Sequence, residues 1–82
     1  MMKDTHLPAV SLDAFRSFLT AKGFVFRFIA GGYEKWHQPG EGRPVVIRMY
    51  QDPVPLFAVR TALRAIGEEE ETLRKFMEQE LR

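Results

Sequence analysis

Cysteine is absent from the 82 residues. Its absence removes a disulfide frame, a thiolate metal site and a cysteine nucleophile together, and it makes an intracellular setting the expectation. Long apolar runs are absent as well, and no stretch approaches the roughly 18 apolar residues of a membrane-spanning helix. Met1 to Val10 lacks the basic start, apolar middle and small-residue cleavage site of a secretory signal. It reads as a short flexible tail (1-10), with the cytoplasm as the expected compartment and no membrane partner. Histidine is scarce: His6 lies in that tail and His37 is the other. Internal repeats and low-complexity linkers are missing too, which leaves room for one domain, 11-82, and no more.

Charge of one sign is not in excess, since 12 Lys and Arg face 11 Asp and Glu for a formal net +1. Its distribution carries more information than its sum. From Met1 to Gly67 there are nine basic and five acidic residues, so the body is +4, whereas Glu68 to Arg82 carries six Glu against three basic residues and is −3. A basic body with an acidic tail is compatible with a polyanion-binding surface and a separate solvated helix.

Aromatic and apolar side chains are plentiful. Apolar residues make up 45% of the chain, with seven Phe and one Trp. Each buried aromatic ring removes roughly 150–250 Å² from water, so few residues suffice for a core in a chain this small. Ser11 is a suitable N-cap, Asp13 suits the first turn, and Leu12, Phe15, Phe18 and Leu19 recur at helical spacing before Gly23. A first helix over about Leu12 to Lys22 follows. Phe24 to Ile29 is rich in strand formers, with Phe24, Phe26 and Phe28 alternating, and Gly31-Gly32 breaks it. Tyr33 to Gln38 predicts a second strand, with Tyr33, Lys35 and His37 on one side and Glu34 and Trp36 on the other. Pro39-Gly40-Glu41-Gly42 is a turn signal, and Pro44 to Tyr50 predicts a third strand.

Two short connections favour an antiparallel meander. Beyond Asp52-Pro53-Val54-Pro55, a second helix has Leu56, Val59, Leu63 and Ile66 on one face, and Gly67 stops it. A last helix, about 68-82, opens on Glu68 to Glu71 and carries Leu73, Phe76 and Met77 as an apolar stripe. The class is thus α/β in the α+β sense. One sheet face is covered by helices, with Trp36, Val45, Ile47 and at least two of Phe24, Phe26 and Phe28 inside. Tyr33, Lys35, His37, Arg27, Arg48 and Tyr50 are expected to share the open face.

Gly23-Phe24, then six residues to Gly31-Gly32-Tyr33, then Trp36, Pro39 and Pro44, and finally Val59-Arg60 with Leu63-Arg64-Ala65-Ile66-Gly67, resemble the HicA-like (YcfA-like) mRNA interferase toxin family. The resemblance runs from about Ser11 to Phe76. It implies a double-stranded-RNA-binding-domain-like fold, a helix, a three-stranded antiparallel sheet and a helix, here with an extra C-terminal helix. It also implies ribosome-independent cleavage of mRNA, no cofactor, and a HicB-like antitoxin as protein partner. The family's Gly-Ser-His falls on Gly31-Gly32-Tyr33, so Tyr33 stands where the family has its catalytic His. Histidine suits general acid–base work near neutrality, whereas phenols ordinarily titrate near ~10 and are poor bases there.

Each candidate has two readings. Tyr33 is a proton donor or base-stacking platform, or else a half-buried strand aromatic chosen for packing. His37 is a relocated general base or a solvated strand histidine; four residues along a strand span roughly 13 Å, so it does not fill the position of Tyr33. Arg27, Lys35 and Arg48, with Tyr50, form an RNA-binding set or are ordinary surface residues. Gly31-Gly32 is explained as a strand connection rather than a phosphate loop. Glu68 to Glu71 fits dipole complementation and not a metal site, because consecutive helical residues point in different directions. The Leu73, Phe76 and Met77 stripe is core or a docking face for a partner.

Overall fold

A computed structural model describes residues 7–40 and 44–80. The chain runs α1 (Leu12–Ala21), β1 (Val25–Ala30), β2 (Tyr33–His37), β3 (Val45–Arg48), α2 (Leu56–Ile66) and α3 (Glu70–Glu80). The strands form one antiparallel sheet in the order β1-β2-β3, so the architecture is α+β. No helix among the described residues is long and apolar enough to cross a membrane.

Local chemistry sets the boundaries. Ser11 caps α1 by accepting a hydrogen bond from the Ala14 N–H at 3.0 Å. Asp52 ties the start of the same helix to the far end of the sheet, accepting from the Leu12 N–H at 3.0 Å. At the end of α2, Gly67 adopts φ +75°, which lets the Glu68 N–H reach back to the Leu63 carbonyl at 2.9 Å. This Schellman-type closure stops the helix where the sequence predicts. Gly31 and Gly32 both have positive φ (+60° and +82°), as a two-residue hairpin of type I′ requires.

The core lies between the sheet and the helices. Phe15, Phe18, Leu19, Val59 and Leu73 are fully enclosed, and Trp36, Val45 and Ile47 seal it from the sheet side. The α3 stripe belongs here: Leu73 and Met77 are buried, and the ring of Phe76 meets Phe18 edge-on at 5.4 Å. Val10 and Leu7, on the segment read as a tail, also join the packing, and Val10 forms a bridge to Val54. Met1–His6 of that expected tail, Glu41 and Gly42 of the expected turn, and Leu81 and Arg82 of the expected last helix lie outside the described residues.

Three expectations are corrected. Of the three phenylalanines, only Phe24 is buried; Phe26 is 44% exposed and Phe28 49%. The cause is a β-bulge. Phe26 pairs with Trp36, yet Phe28 pairs with Lys35, so Arg27 is the extra residue and the side-chain alternation resets across it. Phe26 therefore lies on the helix side, edge-on to Trp36 at 5.8 Å, and Phe28 on the opposite side. Strand β1 is also an edge, and all six of its residues are exposed. The second correction concerns β3, which ends at Arg48. Tyr50 sits in the following turn, 84% exposed, and is not a sheet residue. The third concerns Leu56, expected on the core face of α2 but 44% exposed there, with Ala62 buried beside Val59 and Leu63 instead.

Candidate nucleic-acid interface

The alternation of β2 divides its five residues cleanly. Glu34 and Trp36 are buried against the helices, and Tyr33, Lys35 and His37 point the other way, each half-buried. Registers then populate the open face. Tyr33 stands opposite Arg48 on β3 and Ala30 on β1; Lys35 stands opposite Val46 and Phe28; His37 stands opposite Val25.

Two aromatic–cation pairs result. The Arg48 guanidinium donates from Nη2 to the Tyr33 hydroxyl oxygen at 2.8 Å, and its carbon lies 5.2 Å from the Tyr33 ring centre. The Lys35 ammonium lies 5.7 Å from the Phe28 ring centre. Both distances fall within the range where a cation is attracted by a ring face. These pairs bring positive charge beside aromatic rings on one face, the combination on which single-stranded nucleic acids stack and neutralise their phosphates.

The structure thus brings Tyr33, Lys35 and Arg48 together. It does not bring His37 to Tyr33, because the two lie at opposite ends of β2 with Lys35 between them. Arg27 is exposed at the bulge on β1, and Tyr50 is off the sheet. Sequence reasoning missed Phe28 on this face, counting it only among three phenylalanines of which at least two were expected inside. The signal for it was the Gly31-Gly32 turn: a two-residue hairpin makes Ala30 pair with Tyr33 and hence Phe28 with Lys35.

The covered face holds a second polar arrangement that reading by residue type overlooked. Glu34 is only 4% exposed. The Arg16 guanidinium, from α1, donates to both its carboxylate oxygens, with Nε at 3.2 and 3.1 Å and Nη2 closing the pair; Trp36 Nε1 donates at 3.0 Å. Hydrogen bonds from Arg16 hold the Glu34 carboxyl below its usual range, with burial opposing and the Trp36 hydrogen bond reinforcing. The same hydrogen bonds raise the Arg16 guanidinium above its ordinary value. The Glu34 carboxylate is enclosed beneath α1 with its partners met, while the Arg16 side chain stays 35% exposed, so the cluster braces α1 against the sheet. No group of three His, Cys, Asp or Glu side chains among the described residues is placed to hold a metal ion.

Comparison of the chain with family models, with curated proteins and with solved structures returns no match. The functional reading therefore rests on the residues themselves.

Proposed function

We propose that this chain is a HicA-like, RNA-binding domain of the double-stranded-RNA-binding-domain type, which takes single-stranded RNA on the open face of its sheet. The observation that carries the reading is the pairing of Tyr33 with Arg48 and of Phe28 with Lys35 on one uncovered face. Rings supply sequence-tolerant stacking, and the cations supply salt-dependent attraction to phosphates. Support also comes from the Gly31-Gly32-Tyr33 resemblance, from the order of helix, three strands and helix, and from the basic balance of Met1 to Gly67. In this reading the protein works in the cytoplasm, needs no cofactor, and has a HicB-like antitoxin as its protein partner.

The reading is binding rather than cleavage. Position 33 offers a phenol whose oxygen accepts from Arg48, and His37 stands roughly 13 Å along the strand, too far for the two to share one phosphate. Purified protein should retard RNA and leave it intact in the absence of added metal, and its expression alone should not arrest growth. Degradation of RNA by the purified chain, abolished by Tyr33→Phe, would establish the interferase reading instead. Failure to bind RNA at low salt would remove both.

A further inference from the structure

The two edges of the sheet differ in what lies beside them. Among the described residues no element covers β1, whose six residues are all exposed. Beyond β3 runs α2, and between the two lies a groove of about 510 Å³. Its floor is Val45 and Ile47, and its helical wall is Ala58, Thr61, Ala62 and Ala65, small residues at helical spacing that leave the trough open. The ring of Phe57, 74% exposed, stands on the rim. Arg48 is the one charged side chain lining it among the described residues.

Among the described residues, the strand edge facing this groove has hydrogen-bonding groups without a partner. Met49 N–H donates to the Gly32 carbonyl at 3.0 Å, so the residue pairs that exchange hydrogen bonds with β2 are those of Met49, Ile47 and Val45. By the same alternation the main-chain groups of Val46 and Arg48 point away from β2. The Arg48 carbonyl accepts from the Gln51 N–H at 3.4 Å. The Val46 N–H and C=O, with the Arg48 N–H, are left along the edge.

We propose that this groove receives an extended segment of a partner protein, added as a fourth strand on β3, with apolar side chains facing α2 and an acidic side chain opposite Arg48. One residue of the segment exchanges both main-chain hydrogen bonds with Val46, as in strand-addition recognition. Its two neighbours turn toward Ala58, Ala62 and Ala65, where there is apolar volume to fill. The residue two places along comes opposite Arg48 on the open face. That face carries Lys35 and Arg48 and no acidic side chain among the described strand residues, so a carboxylate is the complementary charge and a lysine there is repelled. The surface is separate from the one proposed for RNA except for Tyr33 and Arg48, which line its open-face end and stand where the two meet.

The test uses the full chain and two capped hexapeptides, one alternating valine with glutamate and one alternating valine with lysine. The expected result is that the glutamate peptide shifts the amide resonances of Val46, Arg48 and Thr61 and slows exchange of the Val46 amide by about tenfold or more at saturation, while the lysine peptide does neither. Thr61→Trp, an exposed position that fills the trough, should weaken glutamate-peptide binding by about tenfold or more, with unchanged circular dichroism and unchanged RNA affinity. Arg48→Glu should reverse the preference between the peptides. Equal binding of both peptides, shifts confined to β1, or binding indifferent to Thr61→Trp would overturn the proposal. Concentration-dependent shifts at Val46 without peptide would overturn it in favour of a second copy as the occupant. RNA binding with no peptide binding would refute the groove alone, and the converse would refute the RNA face alone.

Discussion

On one face of β2, Glu34 accepts hydrogen bonds from Arg16 and Trp36 beneath α1; on the other, Tyr33 accepts from Arg48 and Lys35 lies over the Phe28 ring. Both faces combine an aromatic ring, a cation and a polar acceptor. What differs is closure. The Glu34 cluster is shut by a helix, and every buried side-chain polar atom among the described residues has a partner. The Tyr33 and Lys35 pairs lie on the side of the sheet away from the helices, where Tyr33 and Lys35 are half-buried and Phe28 is 49% exposed. A charge enclosed in this way is consequential because removing its partner strands it in a medium that solvates it poorly. A charge left open contributes little to folding and remains available to a ligand.

The contrast is broken most severely at Arg16. Arg16→Ala leaves the Glu34 carboxylate buried with only Trp36 to serve it. Breaking a buried pair costs roughly 3–5 kcal/mol, and since Arg16 is 35% exposed the expected loss is about 2–3 kcal/mol, read from the midpoint of urea unfolding. An unchanged midpoint would mean the pair is solvated after all.

Acid sharpens the same side of the comparison. Arg16 depresses the folded-state titration of Glu34, so its stabilisation is fully present above the unfolded carboxyl value of ~4.3 and is lost as pH falls through the lower folded value. The stability gap between the parent chain and Glu34→Gln should therefore narrow as pH is lowered below about 4. A gap constant from neutral pH to acid would refute that linkage. Across the bulge, Phe26→Ala should cost about 1 kcal/mol for the lost edge contact with Trp36, whereas Phe28→Ala should stay within about 0.5 kcal/mol. Equal costs would contradict the placement of the two rings on opposite faces.

Much of this arrangement is legible in the residues. The capped first helix, the Gly67 stop, the Gly-Gly hairpin and the alternation of β2 each follow from local rules, and the structure obeys them. The phenylalanines show where such rules end. With the Gly31-Gly32 hairpin and no bulge, Phe24, Phe26 and Phe28 would all have faced solvent beside Tyr33, Lys35 and His37. The extra residue at Arg27 returns Phe26 to the helix side and Phe24 to the core. No glycine or proline marks that bulge, because what favours it is burial of Phe24 and contact with Trp36, both tertiary. Glu34 was hidden for a related reason. A strand glutamate reads as solvated until a guanidinium from a helix 18 positions earlier is seen to meet it. The groove beside β3 likewise depends on how α2 packs, and Ala58, Ala62 and Ala65 acquire meaning only beside a strand edge.

The central claim, that the open face binds RNA through its cations and rings, is tested most directly by a salt series. Affinity for a labelled single-stranded RNA of about ten nucleotides is measured by anisotropy for the parent chain, Lys35→Ala, Arg48→Ala and, on α2 away from this face, Arg60→Ala. The account predicts weaker binding for the first two variants. For each, the slope of log affinity against log salt should fall by about 0.7, the value for one released phosphate contact on a single strand, while Arg60→Ala matches the parent. Absence of binding at low salt, or an equal loss in all three variants, would contradict it.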